Sequence, residues 1–307
     1  MEFHESNSLK PSSTSKYSNI QGKSFEKQKH SHPRISTGGR TPKGIIPMNA
    51  DVVWILATVA FGAGFFDAIA GGGGLVTLPA LLLAGLDPVA ALGTNKFQAA
   101  AATVSAASTF ARKRLIDWHE ARWLVPLAML GGAGGALLVS RVDRQWLEAA
   151  VPVLLIGVAV YFGCSPAIGH GRGRQRLSVA LFSLTVAPLL GIYDGILGPG
   201  VGAFFMIGWL LLCGLPMVRA MGLTKLGNAA SNTGALAVFM AKGVIIWPLA
   251  LTMAVAAFAG AQLGARCALR VGPSLVRPMV VVVCCALAVK LLSAPANPLR
   301  ALLAGAG

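Results

Sequence analysis

Between residues 52 and 292 the chain is a run of apolar stretches, at about 52–70, 74–86, 89–111, 123–140, 146–163, 178–197, 201–214, 220–241, 246–265 and 278–292. Connections between them are short and mostly basic. A helix needs roughly 20 apolar residues to cross a bilayer, and several of these stretches reach that length while others fall short. Only 12% of residues are charged and 55% are hydrophobic, whereas soluble domains carry roughly 25% charge. The expected class is an all-α polytopic membrane protein. Helical rather than barrel-strand spans predict a multi-pass protein of the inner membrane.

The net charge of +15 would suit a nucleic-acid partner. Its distribution points elsewhere. Residues 1–47 hold eight Lys/Arg against Glu2, Glu5 and Glu26, and most of the remaining positive charge lies at segment ends, where it sets topology. The clusters Arg112-Lys113-Arg114 and Arg172, Arg174, Arg176 are assigned to the cytoplasm. The polar, basic tail 1–47 has no apolar periodicity and is expected to be disordered. It lacks a signal-peptide core, and Met48, just before the first apolar stretch, is a candidate natural start. The five cysteines show no ligand spacing, and the apolar stretches contain no histidine. No metal, cofactor or enzymatic chemistry is therefore expected.

The chain also repeats itself. Gly64-Phe65-Phe66-Asp67-Ala68-Ile69-Ala70-Gly71 resembles Gly191-Ile192-Tyr193-Asp194-Gly195-Ile196-Leu197-Gly198 at an offset of 127. Gly93, Lys96, Trp118, Gly131, Gly135, Arg141 and Val142 match Gly222, Lys225, Trp247, Gly260, Gly264, Arg270 and Val271 at an offset of 129. A two-residue insertion before Gly222 accounts for the change. The expected organisation is tail 1–47, membrane repeat 48–165, basic loop 166–177, membrane repeat 178–293 and a short tail 294–307. Duplicated units of this kind are common in secondary transporters, with the substrate site where the copies meet. Parallel and inverted arrangements both remain open, because the number of crossings per copy is not determined.

The ionisable residues that stand out in the apolar stretches are Asp67, Lys96, Asp194, Lys225 and Lys290. A charge at the bilayer centre costs about 2.5–3.5 kcal/mol on insertion scales, so it needs a partner, an aqueous cavity or a function. Each copy brings one acid and one base, which makes structural ion pairs, substrate binding and proton coupling all open roles. Lys290 has no counterpart and is expected to snorkel. Four residues after each Asp the helix is broken, by Gly71-Gly72-Gly73-Gly74 and by Gly198-Pro199-Gly200-Val201-Gly202. Unwound backbone is tolerated in hydrocarbon only where it is buried or lines a cavity, and a helix restarting there offers amides to an anion. Close helix packing is the alternative use of such glycines. The candidate anion-binding residues are Gly73, Gly74, Thr94, Asn95, Lys96, Gly200, Thr224, Lys225 and Asn228, with Asp67 and Asp194 as ion-pair or coupling groups. Asn232 shares a helix face with Lys225 and Asn228. Interhelical hydrogen bonding is the alternative role for these Thr and Asn side chains.

Phe65-Phe66-Asp67-Ala68-Ile69-Ala70-Gly71-Gly72-Gly73-Gly74, followed by Leu78-Pro79-Ala80-Leu81 and Gly93-Thr94-Asn95-Lys96, resembles the TauE/SafE family of membrane transporters. The resemblance covers about 52–292 and implies export or uptake of sulfur-containing anions such as sulfite, thiosulfate, sulfonates or related organic acids. The second copy departs from the first, with Leu223 for Thr94, Thr224 for Asn95 and Pro199 among the glycines. Any two-fold site is therefore asymmetric in detail. Rival readings are a passive anion channel, a membrane-embedded enzyme and a non-transporting accessory subunit. A small anion and membrane lipid are the expected partners, proton coupling is open, and no nucleic acid is expected.

Overall fold

The computed structural model describes residues 50–139, 175–271 and 289. The expected tail 1–47, the stretches 146–163 and 278–292 (Val289 apart), most of the basic loop and Lys290 lie outside the described residues. Among the described residues every regular element is helical: α1 Ala50–Ala70, α2 Gly73–Leu83, α3 Pro88–Arg112, α4 Leu124–Leu138, α5 Val179–Ile196, α6 Val201–Leu211, α7 Met217–Ala241 and α8 Trp247–Val271.

Local chemistry sets the boundaries. Asp87 caps α3 by accepting from Val89 N at 3.0 Å and Ala90 N at 3.4 Å, and Pro88 stands at the first helical position, where its missing N–H costs nothing. Ser178 caps α5 through Leu181 N at 3.2 Å. The expected stretch 74–86 ends earlier, at Leu83, because Gly85 turns the chain at φ 86°. The expected stretch 246–265 instead runs on to Val271, with Arg266 and Arg270 inside the helix.

An otherwise apolar interior holds a cluster of polar and charged side chains, and large apolar side chains face outward. Asp67, Asn95, Lys96, Gln98, Asp194, Lys225, Asn228 and Asn232 are buried, while Trp54, Leu130, Leu189 and Val255 are more than 60% exposed. Among the described residues three helices are long and apolar enough to cross a membrane: α1, α5 and α8. The buried polar side chains keep α3 and α7, each as long as α8 at 25 residues, out of that group.

Helix α1 packs on α8, α4 on α5 and α7, and α3 on α7 and α8. Glycine allows these approaches. A methyl on Gly131 would lie 2.3 Å from Pro188 O, and one on Gly260 2.0 Å from Phe61 O. The same holds for Gly135 against Ile192 O (2.1 Å) and Gly264 against Phe65 O (2.2 Å). Backbone-to-backbone contact of this kind takes the place of the hydrophobic drive that lipid does not supply.

Candidate functional site

The short helices α2 and α6 begin beside one another. Gly71 and Gly202 touch through their backbones, so that a methyl on Gly71 would sit 2.6 Å from Gly202 C, and Gly74 faces Pro199. Gly71, Gly198 and Gly200 adopt positive φ of 82°, 86° and 82°, a region glycine enters without steric cost. Around this junction lies a cavity of about 410 Å³ including its mouth, only a narrow part of which admits a water-sized molecule.

Four charged side chains surround the junction and pair crosswise. Lys96 Nζ on α3 donates to Asp194 Oδ1 on α5 at 2.6 Å and to Asn232 Oδ1 at 3.0 Å. Lys225 Nζ on α7 donates to Asp67 Oδ2 on α1 at 3.1 Å and also to the Asp67 carbonyl. Both carboxylates are satisfied further: Asp67 Oδ1 accepts from Gly73 N at 3.0 Å, and Asp194 Oδ2 accepts from Ser231 Oγ at 2.6 Å. Removing one partner from such a buried pair costs about 3–5 kcal/mol.

Hydrogen-bond donors nevertheless remain. Asn95 Oδ1 accepts from Thr77 Oγ1 at 2.5 Å and from Gln98 Nε2 at 2.9 Å, which turns its Nδ2 away from both. Asn228 Oδ1 accepts from Asn232 Nδ2 at 2.6 Å. No described residue accepts from Asn95 Nδ2 or Asn228 Nδ2, and both residues line the cavity. An ammonium has three donors, and Lys96 uses two.

Of the residues singled out from sequence, Gly73, Gly74, Asn95, Lys96, Gly200 and Asn228 line the cavity together with Asp67 and Asp194. Thr94, Thr224 and Lys225 are not among the lining residues. Thr94 Oγ1 instead accepts from Ile246 N at 3.2 Å, just ahead of α8. Among the described residues the buried Thr224 hydroxyl has no partner. Gln98, Thr103 and Asn232 also line the cavity, and sequence reasoning had not placed Gln98 or Thr103 there. For Gln98 a signal existed, since it follows Asn95 by three residues and so shares its face.

The family model for the sulfite exporter TauE/SafE matches residues 56–291. A "probable membrane transporter protein ORF9" of Sinorhizobium sp is 43% identical over 248 residues, which is 80% of this chain and 94% of that protein. A probable membrane transporter protein of Haemophilus influenzae is 40% identical over 232 residues, covering 76% of this chain and 91% of its own. The probable membrane transporter protein YfcA of Escherichia coli K12 is 39% identical over 238 residues, covering 78% and 88%. No solved structure matches the chain. These names are those of transporters and not of enzymes, and with a membrane-type helical fold beneath them the chain belongs to the TauE/SafE family of membrane proteins.

Proposed function

We propose that the protein is a secondary transporter that carries small anions, sulfur oxyanions, sulfonates or related organic acids, across the inner membrane in several passes. The observation that carries this reading is the donor-rich cavity at the paired helix breaks. Its ion pairs are already neutral, and its wall keeps three unclaimed donors (Asn95 Nδ2, Asn228 Nδ2 and one N–H of Lys96) beside one unclaimed amide acceptor, Gln98 Oε1. Such a wall complements an oxyanion, and the start of α2 at Gly73 and Gly74 adds a positive dipole end.

Two homologous copies, broken at glycine, make up the membrane part. Several independent features support this. Positive φ recurs at Gly71 and Gly198, at Gly85 and Gly214, and at Arg114 and Gly243, with Gly200 the unmatched one. Gly131 on Pro188 and Gly135 on Ile192 repeat as Gly260 on Phe61 and Gly264 on Phe65. The packing of α1 on α8 mirrors that of α5 on α4. In this reading the first helix of each copy packs on the fourth helix of the other, α1 on α8 and α5 on α4. The two extra residues of the second copy then fall as Gly200 in the break and one residue in the loop before α7. Both ion pairs join one copy to the other, so movement of the copies is coupled to the state of the site. A proton taken by Asp67 or Asp194 is the natural coupling ion for a site of this composition.

Uptake by proteoliposomes tests the function. Saturable flux of one of these anions, lost when Lys96 is replaced, is the expected result. Flux proportional to concentration without saturation would make the protein a channel, and absence of flux from folded protein would refute an anion-carrying role.

A further inference from the structure

The two cross-copy ion pairs look alike in sequence but sit in different surroundings. Lys96 lines the cavity and Lys225 does not. Lys225 is held by both the carboxylate and the carbonyl of Asp67, whose other oxygen caps the start of α2 at Gly73 N. Opening that pair would release the helix break itself. Asp194, by contrast, is held by side chains alone, Lys96 and Ser231.

The walls differ in the same sense. On the Lys96 side Thr77, Asn95 and Gln98 form a hydrogen-bonded polar cluster. The corresponding positions of the second copy are Phe205, Thr224 and Gly227. There the fully buried Phe205 ring fills the space over Gly227, where a methyl would meet it at 3.0 Å, and the Thr224 hydroxyl has no partner among the described residues. One half is lined by a polar cluster at the cavity, and the other is filled by an apolar ring.

We propose that the pairs have divided their work: the substrate anion opens Lys96–Asp194 while Lys225–Asp67 stays closed as the structural latch of the break. This rests on the anion-transport reading above. As the anion accepts from the Lys96 ammonium, Asp194 loses its counter-charge, and a proton arriving from the same solution as the anion bonds to its freed carboxylate oxygen. The carboxylate becomes a carboxylic acid, the anion takes its place opposite Lys96, and the net charge of the site is unchanged. Asn232 Oδ1 and the Ser231 hydroxyl remain at hand to accept from the new O–H. The groups that face Asp194 are Lys96 from α3, Ser231 and Asn232 from α7, Asp67 of α1 across the cavity, and neighbouring Tyr193, whose hydroxyl is committed to Pro199 O at 2.5 Å. The α4 face against α5 is glycine, at Gly131 and Gly135. No other described cation stands close enough to replace Lys96.

Proteoliposomes loaded with a pH-sensitive dye, given methanesulfonate, thiosulfate or sulfate (all ionised around neutral pH), test the proposal. With one proton per monovalent anion, a one-unit inward acid gradient drives about tenfold accumulation of methanesulfonate, since one pH unit corresponds to a tenfold ratio. Asp194→Asn should still equilibrate the anion but no longer accumulate it. Whatever uptake Asp67→Asn retains should still accumulate about tenfold; if that variant does not fold, the uncharged Asp67→Asn/Lys225→Met pair replaces it. Dye acidification in step with wild-type uptake supports the proposal independently of any variant. Tenfold accumulation by Asp194→Asn, its loss in Asp67→Asn, or wild-type uptake without proton entry overturns the division of work but leaves the anion carrier standing. No uptake by folded wild type of any of the three, nor of sulfite or a small carboxylate, overturns both.

Discussion

Lys96 Nζ donates to Asp194 Oδ1 at 2.6 Å across 98 residues of sequence, with both side chains 1% exposed. Two buried charges meeting from helices so distant in the chain tie α3 to α5 more specifically than apolar packing can. Either residue alone would be an uncompensated charge in a low-dielectric interior. Lys96→Met should therefore lower stability by about 3–5 kcal/mol. The neutral double variant Lys96→Met/Asp194→Asn should recover most of that loss, while uptake stays absent. Thermal unfolding in detergent alongside uptake checks the pair. A double variant no more stable than Lys96→Met would mean that the two groups do not interact.

Asn95 and Asn228 are expected to act on the ligand and little on the fold, since each keeps an amide group free on the cavity wall. Hydrogen bonds to charged groups contribute about 1.5–3 kcal/mol. Asn228→Ala should then raise the KM for the transported anion roughly ten- to hundredfold at 1.4 kcal/mol per decade, with thermal unfolding changed by far less than in Lys96→Met. Asn95→Ala should act in the same direction, with some added loss of stability as Thr77 and Gln98 lose their acceptor.

Much of this site can be read from the chain, because charge is conspicuous in an apolar stretch: Asp67, Lys96, Asp194 and Lys225 need no structure to be noticed. Their pairing is another matter. Asp67 with Lys96 and Asp194 with Lys225 would satisfy the same charges, and only the structure shows that Lys96 pairs with Asp194 and Lys225 with Asp67. Thr94-Asn95-Lys96 reads as a row of donors, yet successive helical residues turn by about 100°. Thr94 accordingly faces Ile246 while its neighbours face the cavity. Gln98 is hard to see for the opposite reason, lying at the head of an alanine run whose bland composition suggests packing alone.

Glycine positions divide sharply by surroundings. Gly131→Ala and Gly260→Ala would drive a methyl to 2.3 and 2.0 Å from a facing carbonyl oxygen, whereas Gly134 has open space. Each of the first two should cost about 1–3 kcal/mol and lower the yield of folded protein. Gly134→Ala should be neutral or slightly stabilising. Unfolding temperature in one detergent compares the three, and equal behaviour would contradict the close α4–α5 and α1–α8 interfaces.

Phe205→Ala removes the ring that covers Gly227. Large-to-small changes of this kind cost about 3–5 kcal/mol in a packed core. A less disruptive form is Phe205→Thr/Gly227→Gln, which copies the Thr77 and Gln98 arrangement into the second half and gives the orphaned Thr224 hydroxyl a partner. Hydroxyl-radical footprinting should find Lys225 and its neighbours newly accessible to water in that variant and protected in the wild type.

The most direct test is anion uptake by proteoliposomes of the wild type and of Lys96→Met/Asp194→Asn, each shown to be folded, over sulfite, thiosulfate, methanesulfonate, sulfate and small carboxylates. Saturable uptake of at least one anion by the wild type, abolished in the double variant, is the predicted result. Undiminished saturable uptake by a folded protein without Lys96 and Asp194 would contradict it, because the cavity at the helix breaks would then not be where the anion binds.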